Sequence, residues 1–409
     1  MLNKYSKGFL AVSFTLAILG GCASKEQVKP QFWPGLPDPP RVQYLKHIAS
    51  SNDVVGKKSI KLLDLGQEEE KVVGYVKPYG IAVSKGVIYV CDTIGAQVAI
   101  LDPVNKKASY LSGNTGPGQL KKPINVAVDS DGFIYVTDTV RHEVLKYEPS
   151  GAFLRAIGGE PMKPVAVAVD DLYLYVLDGQ AAVVQLYDRF TSEPVRSFGQ
   201  EGPDEGHLFS PLGLGLDGKG GVYVTNLDGR IVHFDRDGHP LRKFGRLGTS
   251  LSEFNRPRSV IFDKEGIMYI VDAANQEVRL LNDQFQLLMS FGAPGTPGSL
   301  NVPAGIAVSY DNLPYYQQLA APDFTLEKVI FVVSQFGADK VSIYGLGKKN
   351  GVDYQGLLNA RLEEIRKKEE AIIKERKAQE EKKAQEEKKA QEEKKEKSPD
   401  SAPIAGAGK

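Results

Sequence analysis

Basic side chains recur at one kind of place in this 409-residue chain, directly ahead of a proline. Lys77, Lys122, Lys163 and Arg256 precede Pro78, Pro123, Pro164 and Pro257, while Ser210 and Val302 stand before Pro211 and Pro303. Arg141 and Arg258 fall close to the same positions. Gathered on one rim, these cations would attract an anionic group or an acidic partner surface. Paired with nearby aspartates, they would form only a solvated edge. Asp92, Asp138, Asp178 and Asp272 also recur, with Asn226 and Ser334 at the two matching places. A carboxylate ring for a metal is one reading. The other, which Asn and Ser fit equally well, has each side chain accepting backbone N–H groups in the turn that follows. His47, His142, His207, His233 and His239 lie at unrelated places and make no zinc set. No nucleophile elbow, phosphate-binding Gly-Lys loop or calcium loop is present. These residues point to binding rather than catalysis, and to no cofactor.

What must position them is a repeat. Between Ile124 and Gly159 four short apolar runs (125–128, 133–137, 144–147 and 152–157) are split by Asp131-Gly132, by 138–143 and by Ser150-Gly151. That pattern reads as a four-stranded antiparallel sheet. The tyrosine of its second strand recurs as Tyr89, Tyr135, Tyr175, Tyr223 and Tyr269, with Phe331 in a sixth copy, and the prolines keep the same beat. Proline is expected at the first residue of a strand, where its missing N–H does least harm. Six such units imply an all-β, six-bladed β-propeller. The phrases KPYGIAVSKGVIYVCD, KPINVAVDSDGFIYVTD, KPVAVAVDDLYLYVLD and RPRSVIFDKEGIMYIVD resemble NHL repeats, over roughly Pro40 to Gly347. The resemblance implies a propeller whose relatives include scaffolds, nucleic-acid readers and metal-dependent lyases. The amidating lyases among them carry metal-binding histidines, and no matching pattern can be assigned here.

The propeller is expected over 41–347. Val42–Ile48 has the look of an outermost strand, and the sixth unit lacks one, so the N-terminal strand should close the last blade; a seven-bladed ring with a defective blade is the alternative. In this architecture the loops entering each blade share a face with those between the second and third strands, which places Lys77, Lys122, Arg141, Lys163, Arg256 and Arg258 on one rim. The sixth unit also carries an insertion, SYDNLPYYQQLAAPDFTLEK, on the opposite face. Its Tyr310, Tyr315, Tyr316 and Phe324 could dock a partner or pack over the ring closure.

Zero formal net charge and 42% hydrophobic residues suit one large globular domain with appendages. Cys22 and Cys91, the only cysteines, provide no disulfide framework. Residues 1–21 put Lys4 and Lys7 ahead of an apolar run too short to span a bilayer. The ending Leu19-Gly20-Gly21-Cys22 resembles the lipobox of bacterial lipoproteins, which implies lipidation (palmitate among the chains) at Cys22, attachment to the lipid bilayer and, with Ala23 and Ser24 following, the outer membrane. Residues 22–40 read as a proline-rich spacer, with Trp33 either at the membrane interface or under the propeller. After 348 the composition turns to a charged helical tail, 348–397, whose Leu357, Leu358, Leu362, Ile365, Ile372 and Ile373 could pack near the propeller; 398–409 should be disordered. Taken together, the chain reads as a non-catalytic interaction scaffold of the cell envelope. The resemblance implies an envelope protein partner, with multihaem cytochromes as a candidate class, while the export signal and zero net charge argue against nucleic acid. A channel-sited lyase or lactonase is the alternative.

Overall fold

The computed structural model describes residues 30–35, 37–56, 72–204 and 206–396. The 1–21 leader, Cys22 and the 398–409 tail lie outside the described residues. Six antiparallel sheets are present, five of four strands and one of five. Their innermost strands are Pro78–Ser84, Pro123–Val128, Pro164–Val169, Pro211–Leu216, Pro257–Phe262 and Pro303–Ser309. Each begins on a proline of the sequence repeat, and each touches the next around a closed ring, the sixth meeting the first. Glycine permits the approach: a Cβ on Gly213 would stand 2.4 Å from the Arg258 carbonyl oxygen, and one on Gly305 would stand 2.5 Å from that of Tyr79.

The hydrophobic core is divided into six clusters, one between each pair of neighbouring blades. Strand alternation causes this, since each sheet turns one apolar face to either neighbour and buries both. The repeated tyrosine adds a polar bolt. Tyr135, Tyr175 and Tyr269 donate to Asp129, Asp170 and Asp263 at 3.0, 3.0 and 2.7 Å. A cation from the next blade reaches each of those carboxylates: Arg189 at 3.2 Å, Arg236 at 3.9 Å and Lys328 at 2.7 Å.

The ring closes as the sequence indicates. Val42–Ile48 runs antiparallel to Val341–Lys349, with Val42 opposite Leu346 and Ile48 opposite Val341. The spacer reading of 22–40 is corrected in part, because Phe32–Trp33 adds a fifth strand beside Val42–Ile48. Trp33 is buried against Phe291 and Tyr344, with ring centroids 6.2 and 5.8 Å away, so it seals the ring rather than facing lipid. The insertion forms a short helix, Leu313–Gln317, and lengthens the second strand to Phe324–Ser334. The tail is a helix, Tyr354–Glu396, with spaced pairs such as Lys368 to Glu364 at 2.7 Å. Leu357, Leu358, Ile372 and Ile373 on it are about half exposed, contrary to the expectation that they pack. No helix among the described residues is long and apolar enough to cross a membrane.

Candidate functional site

The rim is built by the residue that ends each blade's second strand. Asp92, Asp138 and Asp178 are buried and accept the backbone N–H groups of Lys77, Lys122 and Lys163 at 2.9, 2.9 and 3.1 Å. The same carboxylates cap their own turns, as Asp138 does for Val140 and Arg141 at 3.0 and 3.1 Å. Asn226, Asp272 and Ser334 do the equivalent work for Phe209, Asn255 and Asn301, at 2.8, 2.8 and 3.1 Å. Burial pushes the Asp272 carboxyl above its ordinary value, and the N–H groups of Asn255 and Asn275 act against that. Of the two sequence readings, the geometry selects the turn acceptor. These side chains are bound to backbone, one blade apart, and none pairs with a rim ammonium.

The two halves of the ring differ by one residue of register. In blades one to three the residue before the proline donates to the carboxylate. In blades four to six the donor lies one residue earlier, and Ser210, Arg256 and Val302 turn to φ of 43°, 82° and 51°. Among the described residues their three N–H groups have no acceptor. All six carbonyls of this position remain engaged, accepting from Thr93, Thr139, Gly179, Leu227, Ala273 and Gln335.

Lys122, Lys163 and Arg256 are exposed and Lys77 is half-buried with its Nζ 5.5 Å from the centroid of Phe336. None of the four forms an ion pair among the described residues. Arg141, expected with them, is otherwise employed. Its Nε donates to Glu143 at 2.8 Å and its Nη1 to the carbonyls of Pro117 and Gln119 at 2.8 Å, clamping the loop that enters blade two. Arg230 with Asp228, and Arg279 with Glu277, clamp the loops entering blades four and five in the same way. Large apolar residues stand among the rim cations: Val76, Ile94, Val140, Phe209, Leu251 and Phe336 are between 44% and 74% exposed. The acidic residues on this face include Glu160, Glu201 and Asp204, the last beside His207, and others that pair with cations other than the four of the rim: Glu143 with Arg141, Asp228 with Arg230, Glu253 with Arg246, Glu277 with Arg279 and Asp339 with His47.

The insertion is mainly packing. Tyr316 and Phe324 are 2% and 0% exposed, which corrects their reading as docking aromatics. Tyr316 meets Phe331 edge-on at 5.7 Å, and Phe324 meets Phe32 of the added strand at 5.2 Å. Tyr315 is half-buried beside Tyr316, and the Tyr310 hydroxyl donates to Glu265. Sequence reasoning missed the loop clamps, the apolar residues of the rim and Tyr79, whose ring carries the Arg258 guanidinium 5.4 Å from its centroid. The recurrence of Arg two residues from an acid (Arg141/Glu143, Arg230/Asp228, Arg279/Glu277) was the available signal for the clamps. Among the described residues, no three His, Cys, Asp or Glu side chains are grouped to hold a metal ion.

The NHL repeat model matches residues 120–147. Among solved structures, virginiamycin B lyase from Staphylococcus aureus is similar at 14% identity and a TM-score of 0.46, over 66% of this chain and 95% of that one. A gluconolactonase from Xanthomonas campestris is similar at 15% identity and 0.48, over 77% and 97%. A nidogen/laminin complex is similar at 15% and 0.44, over 53% and 80%. With its six sheets closed around one axis by their own N-terminal strand, this chain is a six-bladed β-propeller that carries an NHL repeat at residues 120–147.

Proposed function

We propose that the propeller is a non-catalytic protein-interaction platform of the cell envelope, that its docking face is the rim of Lys77, Lys122, Lys163 and Arg256, and that it is held to the outer membrane by lipid on Cys22. The carrying observation is the composition of that face, where cations without carboxylate partners among the described residues alternate with exposed Val76, Ile94, Val140, Phe209, Leu251 and Phe336. Interfaces combine apolar anchors with charges that steer and orient the partner. An acidic envelope protein fits these features, and a multihaem cytochrome is the partner class suggested by the resemblance.

The test is affinity isolation from crosslinked envelopes, comparing the natural protein with a variant carrying Lys122→Ala, Lys163→Ala and Arg256→Ala. Partners should be lost in the variant, and their capture from the natural protein should weaken with salt, because screening acts over about 8 Å at physiological ionic strength. Unchanged capture would refute the rim as the docking face. Incorporation of labelled palmitate, abolished by Cys22→Ser, tests the anchor. A channel-sited lyase or lactonase is the second reading, and the Arg258–Tyr79 contact favours it; turnover of a lactone that falls in Arg258→Met would establish it.

A further inference from the structure

Arg258 differs from the other arginines near the ring. Arg141, Arg189, Arg230 and Arg279 each reach a carboxylate, whereas Arg258 reaches none among the described residues. Its Nη1 is buried without any hydrogen-bond partner. The side chain is half-buried, and the part of its charge held from water with no carboxylate against it is costly.

Its location follows from register. Pro257 lies opposite Asp272 and Ser259 opposite Val271, so Arg258 occupies a bulge, which re-aims its side chain out of the ladder. The guanidinium carbon is 5.4 Å from the centroid of the Tyr79 ring. Arg258 belongs to blade five and Tyr79 to blade one, with blade six between them. Side chains from the innermost strands of two non-adjacent blades meet only in the central channel, and both residues follow a rim proline directly, which places the contact at the mouth. The corresponding residues of the other blades are Ile124, Val165, Leu212 and Ala304, so the remaining wall is apolar. Burial draws the Arg258 guanidinium below its ordinary value; the Tyr79 hydroxyl and Arg256 are the groups that act on it, and no acid is among them. The unengaged N–H groups of Ser210, Arg256 and Val302 lie on the same half of the ring.

We propose that Arg258, laid over Tyr79 in an otherwise apolar channel mouth, is the binding site for a carboxylate. A planar guanidinium offers two parallel N–H donors that match a carboxylate. A carboxylate's two coplanar oxygens match that fork edge to edge, whereas a tetrahedral phosphate dianion, costlier to desolvate against the apolar wall, matches it less well even with Arg256 near enough to act on Arg258. The carboxylate comes either from an acidic residue of the docked partner, which rests on the platform reading above, or from a small free acid.

The experiment titrates acetate into the full chain at constant ionic strength and follows the Arg258 Nε–H resonance, assigned by its absence in Arg258→Met. A saturable shift with acetate, absent with neutral acetamide and smaller with inorganic phosphate, is expected. No acetate-specific shift, or a larger response to phosphate, overturns the proposal. In carboxylate-free chloride buffer Arg258→Met should melt no lower than the natural protein; a lower midpoint would make Arg258 a structural cation and overturn it as well. Arg258→Lys keeps the charge and loses the fork, so its acetate affinity, read in both proteins on the Tyr79 ring resonances, should fall at least several-fold, and an unchanged affinity again overturns it. Envelope capture with Arg258→Met separates the sources: lost partners assign the carboxylate to the partner, retained partners to a free acid. If the triple rim variant keeps every partner while acetate still binds, the platform reading fails and the carboxylate site stands.

Discussion

Replacing Lys328 by methionine should destabilise the propeller by about 3 kcal/mol. Lys328 belongs to blade six and its Nζ lies 2.7 Å from Asp263 Oδ2 in blade five, with side chains 6% and 0% exposed. It also contacts Glu265, and the Tyr310 ring centroid is 5.3 Å away. Removing the ammonium strands a buried carboxylate, a change that typically costs about 3–5 kcal/mol. Asp263 keeps the Tyr269 hydroxyl at 2.7 Å and the Ile267 and Glu265 N–H groups at 2.8 and 3.1 Å, which places the cost at the lower end. For a domain of this size each kcal/mol moves the melting midpoint by about 2 °C, so a fall of roughly 6 °C is expected by calorimetry. Arg236→Ala is the internal control. It breaks the same inter-blade contact, but at 3.9 Å and with side chains 48% and 25% exposed, so less than about 1 kcal/mol is expected. If the two variants lose equal stability, burial is not what gives the contact its value. The pH dependence has a definite sign. Burial draws the Lys328 ammonium down, and Asp263 and Glu265 more than offset this, holding it above its ordinary value. Its stabilisation is therefore complete below the unfolded lysine pKa and is lost only as pH rises through the higher folded one.

Phe324→Ala should cost about 3–5 kcal/mol, measured by urea unfolding, while envelope capture by the remaining folded protein stays unchanged; selective loss of partners without loss of stability would restore the insertion as a docking surface. Glu253, hydrogen-bonded by the Ser250 N–H and by Arg246, has its carboxyl lowered to about 2. Its contribution to the loop entering blade five is present above the unfolded glutamate pKa and should disappear as pH falls through about 2. Amide exchange across 245–256 would register the loosening, and protection unchanged down to pH 2 would contradict it.

Much of the fold was legible because the residues that make it are local and repeated. A proline opens each innermost strand, and across the ladder from it stands the Asp, Asn or Ser that holds the rim: Pro78 faces Asp92 and Pro303 faces Ser334. Both members lie within one blade, so one stretch of sequence shows the whole unit. The missing outermost strand of blade six was legible for a related reason, since a sheet with three strands and a spare strand at the far terminus has one economical solution. Trp33 was not, because a proline-flanked aromatic looks the same whether it meets lipid or the Phe291 and Tyr344 rings, and those rings arrive from blades five and six. Arg258 was legible as a rim cation and misread in its consequence. Sequence places it two residues from Arg256, and the bulge then separates them, leaving Arg256 exposed while Arg258 crosses to Tyr79. The repeat specifies where a side chain leaves the sheet. What it meets depends on the ring, because curvature brings blades one and five to the same channel mouth, and nothing periodic along the chain encodes that meeting.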